Sequence, residues 1–389
     1  MLAPLLTFVL LHPTTQPAEQ VLPPEDPAVV TLPAARPADV PETGMAVYVG
    51  DSVIFGYDPD PALAVPVTKV DASKFPSIDV HGHWSSDVPQ ADMLAAMEAR
   101  NIAYAVNLSG GNGDDIHAML AQYDDPRLIQ FYTISWDGFD GAAWVERTVA
   151  DFERAINAGA RGLKVWKNLG LTVKDPDGKR LAIDDPRLAP IWDKAGELGV
   201  PVLIHSGDPV AFFEPIDANN ERWMQLHRRP DWSFHGPQFP SFREVLDEQD
   251  RMFANHPNTT FIGPHMAGDA EDLATLAERL RKLPNVSVDI SGRVAELGRQ
   301  PYTARKFLIE FQDRVLFGTD RYPGRPTQPR YRIYFRFLET DDEYFKYYDH
   351  PFPPTGDWRI YGVFLPDEVL RKIYYENAAA MLGLPPLPE

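Results

Sequence analysis

Four histidines and one aspartate each follow a short apolar stretch of the chain, and side chains of these types can hold a metal ion. His81 and His83 end the sequence IDVHGH, His205 follows VLI, His265 follows IGP, and Asp320 follows FGT. Neutral imidazole is the commonest metal ligand in proteins, and a carboxylate offsets part of the charge of a divalent ion. The chain contains no cysteine, so thiolate ligands and a cysteine nucleophile are excluded.

Three histidines and one aspartate around an ion leave one position for water, as a hydrolytic metal site requires. The ion would lower the pKa of that water towards about 7, so that hydroxide forms near neutral pH. Asp320 could contact the ion and accept the proton of the water, while His265 could polarise a substrate carbonyl or act as a general acid. These residues indicate attack of activated water on an ester, lactone or amide carbon.

Eight short apolar runs alternate with amphipathic segments from Phe75 onward, and such runs are typical of strands buried on both faces. The runs are residues 77–80, 103–108, 129–134, 162–166, 200–204, 260–263, 286–290 and 315–317. The segments between them have apolar faces at helical spacing and end at glycines such as Gly159 and Gly199. The pattern predicts an α/β fold, a closed (β/α)8 TIM barrel. The alternative is an open doubly wound sheet, which favours a glycine-rich phosphate turn after its first strand.

The carboxyl ends of the strands carry the active site in barrels of this kind. The five candidate residues follow the first, fifth, sixth and eighth predicted strands. His81 and His83 are two residues apart, so their side chains leave the strand on the same side. We therefore expect the candidates to lie near one another at one end of the barrel.

The order of these residues resembles the amidohydrolase superfamily. The resemblance is carried by IDVHGHW, LIHSGDP, IGPHMAG, VLFGTDRYP and IYYENAAAMLGL. It is greatest for the amidohydrolase-related branch, which includes aminocarboxymuconate-semialdehyde decarboxylase and resorcylate-type decarboxylases, and it covers residues 75–384. The resemblance implies that His81, His83, His205 and Asp320 bind one divalent metal, with His265 beside the reacting group. Zinc is the expected ion, and Mn²⁺ or another first-row ion would fit the same ligands.

Three cationic residues near the predicted strand ends have several interpretations. Other members of the superfamily bridge a second metal with a carbamylated lysine on strand four, where this chain has Lys164 and Lys167. Lys164 is the first candidate for the bridging role, and alternatively it is a substrate-binding or a structural cation. Lys167 is alternatively a solvated charge in a loop. Arg293 follows the seventh strand and could clamp a substrate carboxylate or form a salt bridge in the barrel rim.

The residues before the barrel differ from it in composition. Residues 1–20 contain an apolar stretch typical of a signal peptide, which favours export to the periplasm or the cell exterior. An apolar start without this role is the alternative, and the protein would then be cytoplasmic. Residues 21–44 are rich in proline and predict a linker. Residues 45–74 predict an extension packed on the barrel of residues 75–384, with a hairpin turning at Gly50-Asp51.

Two long aromatic-rich segments follow the fifth and eighth predicted strands. They comprise residues 209–240 and 322–357. Long loops in compact domains often act as lids, so both are predicted to wall the pocket. The alternative is that they pack on a neighbouring subunit of a homo-oligomer or on the N-terminal extension.

The chain carries a formal net charge of −19. A field of this sign repels nucleic acid phosphates and anionic membrane surfaces, so a small-molecule substrate is the expected partner. The N-terminal apolar stretch is shorter than the roughly 20 residues needed to span a membrane.

Two other functions fit the same candidate residues. The first is non-oxidative decarboxylation by a carboxy-lyase, in which the metal holds a carboxylate and neighbouring groups protonate the carbon. The second is a non-catalytic, metal-stabilised binding protein. The presence of all five strand-end residues argues against the second, because a protein without catalysis has no need of His265.

Overall fold

The computed structural model describes residues 46–49, 52–55, 61–323, 330–348 and 353–387. The chain divides into two compact units, residues 1–58 and residues 59–389. In the first unit, β1 (Ala46–Val49) pairs antiparallel with β2 (Ser52–Phe55). The strands of the predicted hairpin are thus confirmed. Its turn, the predicted signal peptide and the predicted linker lie outside the described residues.

The second unit contains the strands of a (β/α)8 barrel. They are β3 (Ser77–Gly82), β4 (Ile102–Asn107), β5 (Leu128–Gln130), β6 (Tyr132–Thr133), β7 (Leu163–Val165), β8 (Val202–Ile204), β9 (Phe261–Gly263), β10 (Val286–Asp289) and β11 (Val315–Leu316). Strands β3 to β5 form one parallel sheet and β6 to β11 form another. Phe131 alone separates β5 from β6, so these two are halves of one barrel strand. All eight predicted strands are confirmed, with ends shifted by one or two residues.

The first and last strands meet along a seam that closes the barrel. The Val80 amide donates a hydrogen bond to the Phe317 carbonyl at 3.0 Å, and the Asp320 amide donates to the His81 carbonyl at 2.9 Å. These bonds continue the parallel ladder from β11 to β3. The seam therefore brings the IDVHGH and FGTD motifs side by side.

The buried carboxyl group of Asp79 forms hydrogen bonds across the same seam. Asp79 is fully buried and accepts hydrogen bonds from the Thr319 amide at 3.1 Å, the Thr319 hydroxyl at 2.6 Å and the Tyr331 hydroxyl at 2.5 Å. Burial raises the pKa of Asp79 to about 7, although the hydrogen bonds that it accepts oppose this shift.

Helices alternate with the strands along the second unit. They are α1 (Gln90–Glu98), α2 (Gly113–Gln122), α3 (Ala142–Ala158), α4 (Ala189–Leu198), α5 (Trp223–Leu226), α6 (Phe242–Asn255), the turn α7 (Pro264–Ala267), α8 (Leu273–Lys282), α9 (Val294–Leu297), α10 (Pro301–Glu310), α11 (Arg330–Glu339), α12 (Asp367–Arg371) and α13 (Asn377–Leu382). A π-helical turn, Lys372–Glu376, joins α12 to α13. The helix ends predicted at Gly159 and Gly199 are confirmed. A capping box of Ser241 with Glu244 begins α6.

The two segments predicted as long loops contain regular structure. The segment after β8 includes two 3₁₀ turns, Val210–Phe213 and Pro230–Trp232, in addition to α5. The segment after β11 contains α11, so residues 322–357 are not a loop throughout. Tyr334 and Phe335 of α11 are fully buried, and its apolar face explains why so many aromatic residues occur there.

Residues just before the barrel contact it. The Thr68 amide and hydroxyl donate to the Asp342 carboxylate at 2.6 and 2.7 Å. This places residue 68 against the segment that follows α11, while the packing of residues 45–60 stays a prediction. Among the described helices, none is long and apolar enough to cross a bilayer.

Candidate metal centre

His81 is held so that one ring nitrogen lies near Asp320. Its Nδ1 lies 2.8 Å from Asp289 Oδ2 and 2.9 Å from the Ser291 hydroxyl. An ionised carboxylate can only accept, so the proton belongs on Nδ1 and Nε2 carries a lone pair. Nε2 is buried without a hydrogen-bond partner among the described residues and lies 3.7 Å from Asp320 Oδ1. A histidine fixed by a carboxylate behind it is typical of metal ligands.

His83 and Asp320 complete a cluster with His81. His83 Nε2 lies 3.4 Å from Asp320 Oδ1, and His83 Nδ1 lies 2.9 Å from the Ser109 hydroxyl. The His83 ring stacks on Trp166 with the ring centroids 4.9 Å apart. One ligand atom from each of His81, His83 and Asp320 lies within 4.8 Å of the others. The structure thus brings together three of the four predicted ligands.

His205, the fourth predicted ligand, lies beside this cluster and not within it. Its ring centroid is 4.4 Å from that of His265, which is in turn 4.8 Å from that of His81. His205 Nε2 is buried without a hydrogen-bond partner among the described residues and lies 3.7 Å from Asp208 Oδ1. The ligand role of His205 therefore stays a prediction.

His265 is set by an unusual backbone. His265, Met266 and Ala267 have φ angles of 58°, 60° and 51°, a left-handed conformation that costs roughly 1–2 kcal/mol per residue. The His265 amide donates to Asp289 Oδ1 at 2.9 Å, and Nδ1 donates to the Ser291 carbonyl at 2.7 Å. Because that carbonyl can only accept, Nε2 of the neutral ring has a lone pair and no proton. His265 can therefore act as a general acid only after it takes up a second proton.

All four histidines of the site have pKa values well below 6.5. Burial is the main cause, because a buried imidazolium loses its hydration. Positive charge nearby adds to the effect: Lys164 lowers the pKa of His81, His83 and His205, and Arg293 lowers that of His81, His205 and His265. The rings are consequently neutral, the form that binds metals.

Lys164 and Arg293 are the two predicted cations of the site. Lys164 is fully buried, and its Nζ lies 4.8 Å from the Trp166 ring centroid. Arg293 is 8% exposed and donates to the Gly292 carbonyl at 3.1 Å, while its Nε is buried without a partner among the described residues. Both roles assigned to these residues from sequence stay predictions.

A cavity of about 260 Å³ opens beside His83. It is lined by His83, Trp84, Ser85, Asp87, Val88, Ser109 and Tyr322. The Asp320 side chain is 36% exposed and that of His83 is 20% exposed. The cluster is therefore open to solvent, as a site for a small molecule requires.

Residues 78–384 match the family model described as amidohydrolase. The chain belongs to the amidohydrolase family. This family is one of enzymes, and the matched region includes every candidate residue of the site. A comparison with proteins of curated function finds no match.

Several solved structures are similar to this amidohydrolase. An amidohydrolase II is 15% identical, with a TM-score of 0.50 over 79% of this chain and 99% of that one. A 2,6-dihydroxybenzoate decarboxylase complexed with 2,6-dihydroxybenzoate is 16% identical, with a TM-score of 0.49 over 80% and 100%. A dihydroxybenzoic acid decarboxylase from Polaromonas sp. JS666, with bound manganese and 2-nitroresorcinol, is 16% identical, with a TM-score of 0.49 over 79% and 97%. Likeness at these identities concerns the fold alone.

Asp289 is the main residue of the amidohydrolase site that the sequence did not suggest. It receives hydrogen bonds from His81 and from the amides of His265 and Ser291. The available signal was an acidic residue in the mostly apolar run 286–290, since an acid is buried in a strand only where it has partners. Lys167 lies in the turn after β7, where its partly exposed side chain pairs with Asp208, and its role stays a prediction.

We expect the Asp289→Asn substitution to weaken metal binding by about 10–100-fold, as loss of a carboxylate behind a ligand does elsewhere. The amide would no longer fix the proton of His81 on Nδ1. The dissociation constant is measured by competition with a chelator. Asp313→Asn, at a carboxylate whose side chain is 70% exposed, is the control; equal affinities for both variants would contradict the role of Asp289.

We expect the metal-free protein to lose stability as the pH falls from about 7 to about 5. Histidines in the unfolded chain gain protons below about 6.5, whereas those of the site do not, so each contributes a loss of up to about 1.4 kcal/mol per pH unit. Four carboxyls in the described part of the chain act in the opposite direction because their pKa values are raised, and they reduce the slope that the four imidazoles set; they are Asp79, Asp269, Glu271 and Glu339. Urea unfolding of chelator-treated protein measures the slope.

His265→Asn should reduce this slope, while a variant at the exposed His117, His117→Asn, should retain it. A free energy of unfolding that stays constant or rises over the same interval would contradict the low pKa values of the site.

Proposed function

We propose that this amidohydrolase is a metal-dependent hydrolase that adds water to an ester, lactone or amide carbon. The observation that carries the proposal is the buried, unpartnered Nε2 of His81, with Nδ1 fixed by Asp289 and Asp320 in front. A buried nitrogen without a partner costs about 1–3 kcal/mol, so such an atom needs a functional explanation.

The donor set fits a divalent ion of the zinc type. An ion held by His81, His83, His205 and Asp320 would supply Lewis acidity and lower the pKa of a bound water. Neutral imidazoles and one carboxylate suit zinc, and Mn²⁺ would also bind such a set. Both His81 and His205 offer an Nε2 that no described protein group occupies.

The side chains of the site have separate roles in proton transfer and in stabilising charge on the substrate. Asp320 reaches solvent and lies against two imidazoles, so it is placed to accept the proton of the attacking water. Nε2 of His265 is a second proton acceptor, which differs from the acid role that the sequence suggested for this residue. The charges of Arg293 and Lys164 offset the negative charge that develops on the substrate oxygen.

The proposal is tested by metal analysis together with hydrolysis assays on esters, lactones and amides. Asp320→Asn is the critical variant, because asparagine tolerates the positive φ of 58° at this position. We expect it to remain folded and to lose about 10²–10⁴-fold in kcat, while Asp114→Asn, at an exposed helical carboxylate, keeps its activity. A folded, metal-supplied protein whose hydrolysis does not depend on metal would refute the proposal.

Non-oxidative decarboxylation is the second candidate, and the two cations favour it. Lys164 and Arg293 both act electrostatically on His81 and His205, where they could hold a substrate carboxylate. A decarboxylase would release carbon dioxide and incorporate one solvent hydrogen into the product. Assays in deuterated water with mass detection of the product separate this reaction from hydrolysis.

A non-catalytic binding protein is the least favoured alternative. The family consists of enzymes. The cluster of His81, His83 and Asp320 is open to solvent beside a cavity, and a structural metal site does not need this access. Structural sites are closed to solvent, whereas catalytic sites keep an open position.

A further inference from the structure

Lys164 is a fully buried cation at the carboxyl end of the barrel strands. It lies in β7, where it pairs with Thr133 of β6 and Leu203 of β8. Its Nζ has no hydrogen-bond acceptor among the described residues, and the Trp166 ring is 4.8 Å away. Trp166 stacks in turn on His83. The ammonium group is thus one aromatic ring away from the candidate metal cluster.

Two carboxylates interact electrostatically with Lys164, but both contact other groups of the site. Asp320 and Asp289 both act on it electrostatically. Asp289 is hydrogen-bonded to His81, His265 and Ser291, and Asp320 lies against the imidazoles of the cluster. Neither carboxylate accepts a hydrogen bond from Nζ. Three N–H donors of one buried group are therefore left without an acceptor in the part of the chain that the structure describes.

A buried ammonium group without a hydrogen-bond acceptor lowers the stability of the protein when no ligand is bound. Burial of a charge is strongly unfavourable unless the charge is paired and hydrogen-bonded. Burial lowers the pKa of Lys164 to about 8, and the two aspartates limit the fall. The group therefore remains mostly protonated at neutral pH. A methionine would fill the same space in the barrel without this cost.

We propose that Lys164 is the anion-binding residue of this active site, and that the substrate presents a carboxylate to its buried ammonium group beside Trp166. The proposal rests on the site described under the proposed function and narrows its substrates to carboxylate-bearing esters, lactones, amides or acids. A ligand carboxylate would satisfy the donors of Nζ, and the flat face of Trp166 would adjoin the rest of the molecule.

The test compares benzoate with benzamide, which has a similar shape but no charge, by calorimetric titration of chelator-treated protein. In the absence of metal, only the side chains of the chain can hold the carboxylate. We expect the wild type to bind benzoate about tenfold or more tightly than benzamide, as charged hydrogen bonds would provide. Lys164→Met should abolish the preference, and Lys164→Arg should retain part of it. Lys174→Met, at an exposed lysine that follows the same strand, should leave it unchanged.

A second measurement, the unfolding temperature, distinguishes a loss of binding from a folding defect. We expect Lys164→Met to unfold at a higher temperature than the wild type without ligand, since it removes an unpaired buried charge. Equal binding of benzoate and benzamide by the wild type would overturn the proposal, as would a benzoate preference that survives in Lys164→Met. A metal content that falls from two ions to one in this variant would also overturn it, because Lys164 would then be a bridging ligand. Absence of metal from the wild type would refute the proposed function but not the carboxylate preference.

Discussion

The His81→Asn/His83→Asn double variant is expected to lose tight metal binding and all measurable metal-dependent activity while the barrel stays folded. These residues provide two of the three ligand atoms that lie within 4.8 Å of one another. Loss of a residue behind a ligand already costs about 10–100-fold in metal affinity, and loss of two ligands should cost more. Asparagine keeps a polar side chain of smaller size at both positions.

Metal content after gel filtration, measured by plasma mass spectrometry, is the primary result of this experiment. Circular dichroism establishes that the double variant is folded. The His117→Asn/His227→Asn double variant removes two exposed histidines and should retain its metal. If the His81/His83 variant still held one ion per chain, the metal site would have to lie elsewhere, and the proposed function would fail with it.

Arg222→Met is expected to destabilise the protein by about 3–5 kcal/mol, because it leaves a buried carboxylate without its partner. The side chains of Arg222 and Glu296 form an ion pair in which they are 3% and 1% exposed. Glu271 lies 3.8 Å from the same guanidinium group. This pair joins the segment after β8 to α9 at the barrel rim, so its loss should also loosen the wall of the site.

Urea unfolding compares this variant with Arg229→Met, which removes an arginine from an ion pair that is about half exposed. Exposed pairs contribute about 0–1 kcal/mol, so the control should be nearly as stable as the wild type. The Arg222→Met/Glu296→Leu double variant should recover part of the lost stability, since it leaves no isolated charge on Glu296 while Glu271 still lacks the guanidinium group. A loss below about 1 kcal/mol for Arg222→Met would show that water or relaxation compensates Glu296.

The barrel could be predicted from sequence because its strands are buried on both faces. Each strand is a short apolar run, and the glycines at 159 and 199 mark helix ends through their freedom to adopt positive φ. The segment after β11 was harder to interpret. Prolines and charged residues interrupt its apolar pattern, which conceals the periodicity of α11.

The site was predictable in its ligand types but not in its supporting contacts. His81, His83 and Asp320 follow strands whose ends must meet in a closed barrel. The role of Asp289 depends on two long-range partners, and no local pattern reveals such a contact. The left-handed turn at His265 was equally hidden, since nothing in Pro-His-Met-Ala favours that conformation and tertiary contacts impose it.

The seam between β3 and β11 also affects the order in which parts of the barrel fold. Asp79 and Thr319, which bond across it, are 240 residues apart in the chain. Contacts between such distant residues close the largest loops and are slow to form. The cluster of His81, His83 and Asp320 lies on this seam, so we expect it to assemble only when the ring is complete. Uptake of metal during refolding would then report the final step, later than the recovery of helical signal.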